Sequence, residues 1–199
     1  MLMNMWYVVG DSADLALGTT RPLRMLGHDF VLFRDSAGKA HCLSDICVHR
    51  GGSLCRGKLV DDTVQCPYHG WRFSGDGQCV DIPSLGPNAA IPKRARIDSY
   101  PVEEKWGWIW VFAGDLPDVE RPSLPDDDFF PEYFSDEYRV IRGTFLFDVN
   151  WMRAVDNILD PAHPFHVHTD FGDMKDQKLP RFEVEEHGTI TLSKHKFKS

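Results

Sequence analysis

The sequence predicts a mainly β fold: a sandwich or barrel of short antiparallel strands, followed by the opening of an α+β segment. Three observations carry this reading. Short apolar runs recur at close intervals up to Gly114, punctuated by turns rich in Gly, Asp and Ser. Helical periodicity is confined to one stretch, 151–159. With 42% apolar residues and six tryptophans among 199, the chain can fill a real core.

Taken in order, strands are expected at 6–9, 23–26 and 30–33, then a turn at Asp35-Ser36-Ala37-Gly38 leading into 41–43. Further strands are expected at 58–60, 63–65, 71–73 and 79–80, with Gly75-Asp76-Gly77 turning the chain before the last. Residues 106–112 alternate aromatic and smaller side chains and close the β domain near Gly114. Residues 115–137 hold four prolines and the run Asp126-Asp127-Asp128, and read as an extended linker with a solvated acidic face. Residues 138–147 alternate like a strand, and 151–159 place Trp151, Val155, Ile158 and Leu159 on one helical face. Residues 188–195 look like a strand cut off before its partners. The expected organisation is therefore 1–114, a linker over 115–137, and 138–199 as the start of a second domain.

Composition excludes several classes of function. A net charge of −8 argues against nucleic-acid binding. No apolar run approaches the ~18 residues needed to cross a membrane, and residues 1–10 lack the basic and apolar regions of a signal peptide. The count of five cysteines is odd. Cys42, Cys55 and Cys79 are expected to be free thiols in a reducing, cytoplasmic compartment.

The stretch that carries chemistry runs from Cys47 to Phe73. Cys47-Val48-His49 opens it and Cys66-Pro67-Tyr68-His69-Gly70-Trp71 closes it, so each of two short loops offers one thiolate and one imidazole. A Rieske-type 2Fe–2S cluster takes two sulfurs on one iron and two nitrogens on the other, which requires each loop to reach both metals. Zinc also accepts two Cys and two His and is the rival reading, although zinc fingers usually pair Cys with Cys and His with His. A second constellation follows the helical stretch: Asp156, Asn157 and Asp160 precede His163, His166 and His168.

Together, Cys-x-His-Arg-Gly-Gly, Cys-Pro-Tyr-His-Gly-Trp and the later D-x3-D-x2-H-x4-H resemble the α subunits of Rieske non-haem iron oxygenases, of the vanillate O-demethylase and phenylpropionate-dioxygenase sort. The resemblance implies that Cys47, His49, Cys66 and His69 hold the 2Fe–2S cluster. It implies that His163 and His168 hold a mononuclear iron(II), as two members of a 2-His-1-carboxylate triad with open positions. Asp160 would link an iron-bound His to a cluster-bound His of a neighbouring subunit in a homotrimer, Asn157 would stand beside the iron, and His166 would be spare. The third, carboxylate ligand lies far downstream in the family. Asp170, Asp173 and Asp176 follow the histidines too closely to match it, so the chain is expected to be the N-terminal part of an oxygenase. Pro164 is expected to hold His163 away from helical backbone.

The implied activity is that of a terminal oxygenase, hydroxylating or O-demethylating a small aromatic substrate with electrons from an NAD(P)H-dependent reductase or a ferredoxin. The alternative is a ferredoxin-like carrier with no chemistry of its own. High-potential respiratory Rieske proteins place a Ser and a Tyr after the second His, and a disulfide between the loops. Here the corresponding positions are Trp71 and Phe73, and Gly52 and Tyr68. A low potential and no inter-loop disulfide are therefore expected.

Overall fold

The computed structural model describes residues 3–87, 89–168, 182–187 and 190–195. The chain divides into two compact units, Met1–Leu124 and Pro125–Ser199. The strands of the first are β1 (Met5–Asp11), β2 (Thr20–Met25), β3 (His28–Arg34), β4 (Ala40–Ser44), β5 (Lys58–Val60), β6 (Thr63–Gln65), β7 (Arg72–Phe73), β8 (Cys79–Asp81), β9 (Ser99–Tyr100), β10 (Val102–Lys105) and β11 (Trp108–Ala113). They form three antiparallel sheets, ordered β2-β3-β4-β9, β1-β11-β10 and β5-β6-β7-β8. The short-strand β fold is as the sequence predicts.

The β2-β3-β4-β9 sheet is the middle one, with a core on each side, and burial of Phe30–Phe33 in β3 explains why that stretch is an unbroken apolar run. Successive side chains of a strand point to opposite faces. Val31 and Phe33 enter one core with Leu43, Leu54, Val64, Cys66 and Phe73. Phe30 and Leu32 enter a second core with Met25, Cys42, Ile109 and Val111. Strand β4 divides in the same way, with Leu43 in the first core and Cys42 in the second. The first core lies under the cluster-motif loops. The second seals the middle sheet against β1-β11-β10.

Arg34, at the end of β3, ties the edges together. Its guanidinium donates to the carbonyls of Leu15 (2.8 Å) and Gly38 (2.6 Å) and to both carboxylate oxygens of Glu104 (2.7 and 2.9 Å). The guanidinium beside Glu104 holds that carboxyl below its ordinary range.

Several expectations need correction. The strand expected at 106–112 begins only at Trp108, because Trp106 (φ 55°) and Gly107 (φ 75°) form the tight turn between β10 and β11. Two positive φ values give a two-residue hairpin turn the twist that matches its strands. Residues 115–124 are not a free linker. Arg121 sits over the Phe112 ring (5.5 Å), the indole N–H of Trp6 donates to the Pro122 carbonyl (2.7 Å), and Leu124 is buried.

In the second unit, residues 139–148 carry no strand, although their sequence alternates. Alternation only prepares a face, and a strand also needs a neighbour for its backbone. Ile141, Phe145 and Leu146 are largely exposed. Helix α1 (Trp151–Leu159) forms as predicted, capped by Asn150, whose side-chain oxygen accepts from the Met152 amide (2.9 Å). Its apolar residues Trp151, Val155, Ile158 and Leu159 are exposed. A short helix α2 (Pro164–Val167) follows, then a hairpin of β12 (Phe182–His187) and β13 (Ile190–His195). The expected last strand thus has a partner, Phe182–His187, which pairs with it in register from Phe182↔His195 to His187↔Ile190.

Candidate metal centre

The two motif loops are built on one hydrogen-bond plan. In the first, the Cys47 amide donates to the Gly52 carbonyl (2.9 Å) and the Cys47 carbonyl accepts from the Gly51 amide (2.8 Å). In the second, the Cys66 amide donates to the Trp71 carbonyl (2.8 Å) and the Cys66 carbonyl accepts from the Gly70 amide (3.0 Å). Gly51 (φ 69°) and Gly70 (φ 76°) occupy equivalent places in the left-handed region, where a side chain is costly. The loops differ in where the imidazole stands, two residues after Cys47 and three after Cys66.

Asp45 anchors the first loop. It is the buried acidic residue among the described ones, and its carboxylate accepts from the Ser53 hydroxyl (2.7 Å) and the Cys55 amide (2.6 Å). Its own carbonyl accepts from the Leu54 amide (2.9 Å). The second loop hangs between β6 and β7, closed by Phe73 in the core beneath.

This framework gathers the four sequence-predicted residues in two pairs. Cys47 and Cys66 are buried with their thiols in contact. Burial, reinforced by Cys66, pushes the Cys47 thiol up to about 11 against the backbone amides of His49 and Arg50, so ionising it calls for a cation alongside. The rings of His49 and His69 lie 4.5 Å apart, centroid to centroid. Burial, then His69 and Arg50, hold the His49 imidazole below its ordinary range, which favours the neutral, electron-donating form.

The donor set fits a cluster with two metals. A sulfur pair beside a nitrogen pair suits two metals with two ligands each better than one metal with four. His49 Nδ1 is buried and has no hydrogen-bond partner among the described residues, and an orphaned buried nitrogen needs an acceptor of its lone pair. Space has also been left beside the thiols. A Cβ on Gly52 would stand 3.0 Å from Cys66 Sγ and 3.4 Å from Tyr68 Cβ. The positions expected to lack a disulfide therefore face each other across the loops.

The second constellation sits at the end of α1. The Asp160 carbonyl lies 2.9 Å from His163 Nδ1, and its carboxylate accepts from the Ala162 amide (2.8 Å). The rings of His163 and His168 are 5.4 Å apart. His166 and Asn157 are exposed. Contrary to expectation, His163 is helical (φ −60°, ψ −33°). Pro164 occupies the first position of α2, where a missing N–H costs nothing, and the His163 carbonyl accepts from His166 (3.0 Å) and Val167 (2.9 Å). That gain offsets the pre-proline restriction. Asp170, Asp173 and Asp176 lie outside the described residues.

Sequence reasoning did not single out Asp45 or the stacking of Trp71, whose ring lies 4.6 Å from the His49 ring, centroid to centroid. The only signal for Asp45 was its place two residues before Cys47. Trp71 carried none beyond its type, since what an indole rests on is a tertiary fact.

Residues 5–101 match the family described as the Rieske [2Fe-2S] domain. Over 208 aligned residues the chain is 35% identical to the phenoxybenzoate dioxygenase subunit alpha of Ectopseudomonas oleovorans, covering 95% of this chain and 50% of that protein. It is 38% identical to chloroplastic chlorophyllide a oxygenase of Chlamydomonas reinhardtii, covering 84% of this chain and 25% of that protein. A crystal structure of dicamba monooxygenase bound to dicamba superposes with a TM-score of 0.79 at 31% identity, over 97% of this chain and 56% of that one. The chain thus spans about half, or less, of the length of these relatives. Residues 5–101 are a Rieske domain whose cofactor is a 2Fe–2S cluster, and over nearly its whole length the chain is similar to proteins named as Rieske-type oxygenases.

Proposed function

We propose that this chain is the N-terminal, cluster-bearing part of a terminal oxygenase, with Cys47, His49, Cys66 and His69 as cluster ligands. His163 and His168 are proposed as ligands of a mononuclear iron(II). When bound, the two centres supply a one-electron store and a metal with open positions for dioxygen and substrate. The protein's own residues do the rest. The paired loops hold both thiols buried and both imidazoles together, and the Asp160 carbonyl fixes the His163 ring through Nδ1, leaving Nε2 for a metal. Asp160 is the candidate link from the iron site to the cluster of a neighbouring subunit, and Asn157 a candidate neighbour of the iron.

The observation that carries the oxygenase reading over a ferredoxin-like carrier is the His163–His168 pair, with ring centroids 5.4 Å apart, in a unit separate from the cluster loops. A carrier needs no such pair. The substrate class is a small aromatic compound, for hydroxylation or O-demethylation, supported by relatives that act on phenoxybenzoate and dicamba. Electrons are proposed to come from a reductase or ferredoxin, and the assembly to be a homotrimer in the cytoplasm. Among the described residues no helix is long and apolar enough to cross a membrane.

The test is metal analysis on three variants of the longest chain that carries this segment. His163→Ala and His168→Ala should each lose the iron in excess of the cluster and keep the cluster's visible spectrum, while His166→Ala keeps both. Equal loss from all three would mark an undifferentiated surface His cluster and overturn the assignment.

A further inference from the structure

The two loops carry different residues at equivalent places. The residue whose carbonyl receives the Cys amide is Gly52 in the first loop and Trp71 in the second. Gly52, with no side chain, leaves the thiols their room. Trp71 does the opposite. Its indole reaches across to the other loop and lies flat on the His49 imidazole, with centroids 4.6 Å apart and an angle of 4° between the planes. Tyr68 instead meets the ring of its sequence neighbour His69, with centroids 3.9 Å apart at a tilt of 37°, and is 64% exposed.

We propose that Trp71 is the positioning residue of the cluster. It clamps the first loop's histidine to the second loop in place of a covalent link, fixes the plane of the His49 ring, and keeps water off one of its faces. The inference rests on the ligand assignment above. Its backbone is held by the Cys66 amide and the adjoining Arg72–Phe73 strand by pairing with β6, so the indole is a fixed surface and not a mobile cover. His49 Nδ1 is buried and has no hydrogen-bond partner among the described residues, and a ring held in one plane restricts the directions that nitrogen can face. A parallel stack fixes the ring plane and leaves both ring nitrogens free, whereas a hydrogen bond would occupy one of them.

The consequence can be read electrochemically. With two thiolates and two neutral imidazoles, the oxidised cluster is formally neutral and the reduced cluster singly negative. Water at the His49 face stabilises the negative form, so excluding it favours the oxidised one. Removing the indole should therefore make reduction easier.

The experiment compares the wild-type chain with Trp71→Leu, Trp71→Phe and Phe73→Leu, each reconstituted with its cluster. Midpoint potential and the electron paramagnetic resonance spectrum of the reduced state are the readouts. Trp71→Leu should shift the one-electron reduction equilibrium upward by about tenfold, which is 59 mV, and broaden the spectrum as the His49 ring loses its fixed plane. Trp71→Phe, which keeps a flat ring, should recover most of both. Phe73→Leu, altered in the core below, should lower thermal stability and leave the potential and spectrum in place. Potentials and spectra of Trp71→Leu that match wild type would overturn the clamp, as would Trp71→Phe behaving like Trp71→Leu. A wild-type chain without a Rieske-type spectrum would instead overturn the ligand assignment, and the clamp with it.

Discussion

Asp45 offers the sharpest test of how the cluster loops are held. Asp45→Ala removes the acceptor of two short hydrogen bonds, from the Ser53 hydroxyl (2.7 Å) and the Cys55 amide (2.6 Å), at a position only 8% exposed. Hydrogen bonds to a charged group contribute about 1.5–3 kcal/mol each, and a buried donor left without a partner loses its desolvation cost in full. Allowing for non-additivity within one network, the loss should be about 3–5 kcal/mol. Asp62 supplies the control. Its carboxylate also accepts two bonds, from the Ser36 amide (2.7 Å) and hydroxyl (2.6 Å), but it is exposed. Asp62→Asn keeps a residue tolerant of its positive φ of 60° and should cost under about 1 kcal/mol. Asp45→Asn should fall between the two, because an amide can keep one acceptor toward the Cys55 N–H but loses the charge. Urea unfolding followed by far-ultraviolet circular dichroism gives the stabilities, and visible absorbance gives cluster occupancy. Equal effects of Asp45→Ala and Asp62→Asn would refute the argument from burial. Full cluster occupancy in Asp45→Ala would refute its role as anchor of the first loop.

Two further outcomes are expected. The cluster potential should lie near the low end of the Rieske range, about −150 mV, because neither Trp71 nor the buried Phe73 has a hydroxyl to offer a sulfur. Protein-film voltammetry giving a value above about +100 mV would contradict this, and Phe73→Tyr should raise the potential if its new hydroxyl reaches a sulfur. The Arg34–Glu104 pair should make stability sensitive to acid. Glu104's carboxyl is held down by Arg34, so its contribution is complete above the ordinary value near 4.5 and disappears as pH falls through the lower folded value. Partial exposure limits it to about 1 kcal/mol. Unfolding free energies measured from about pH 6 down to about pH 3 should converge for wild type and Glu104→Gln at the acid end, and a constant gap would count against the pair.

The features most legible in the sequence were those fixed by neighbours along the chain. The Cys and His spacings sit inside two turns of a few residues, and α1 announced itself through the cap at Asn150 and its apolar period. Strand β3 was legible because burial on both faces leaves no polar position from Phe30 to Phe33. Less legible were features decided by distant contacts. Strand β10 reads Val-Glu-Glu-Lys, a charged edge that pairs only with β11, so its sequence carries little strand signal. The turn at Trp106 was hidden because a tryptophan seldom takes a positive φ. Residues 139–148 show the converse: their alternation is plain, yet they form no strand here. At the candidate metal centre the four Cys and His that the loops bring together were legible. Asp45 beneath them and the indole over His49 were not, since both act across loops.

The pairing of β1 with β11 bears on how the chain folds as it is made. Met5 pairs with Ala113, so the outer sheet joins residues from opposite ends of the first unit. Such contacts close a long loop and form slowly. Strands β5 to β8, by contrast, are successive antiparallel neighbours between Lys58 and Asp81, and they carry the second loop. On a ribosome adding roughly 5–20 residues per second, that small sheet can form seconds before β11 emerges to claim β1. Until then β1 and the open edge of the second core are unpaired backbone and apolar surface. The terminal sheet is therefore the last part of the unit to become resistant to proteases, and the second Cys-His loop is among the first.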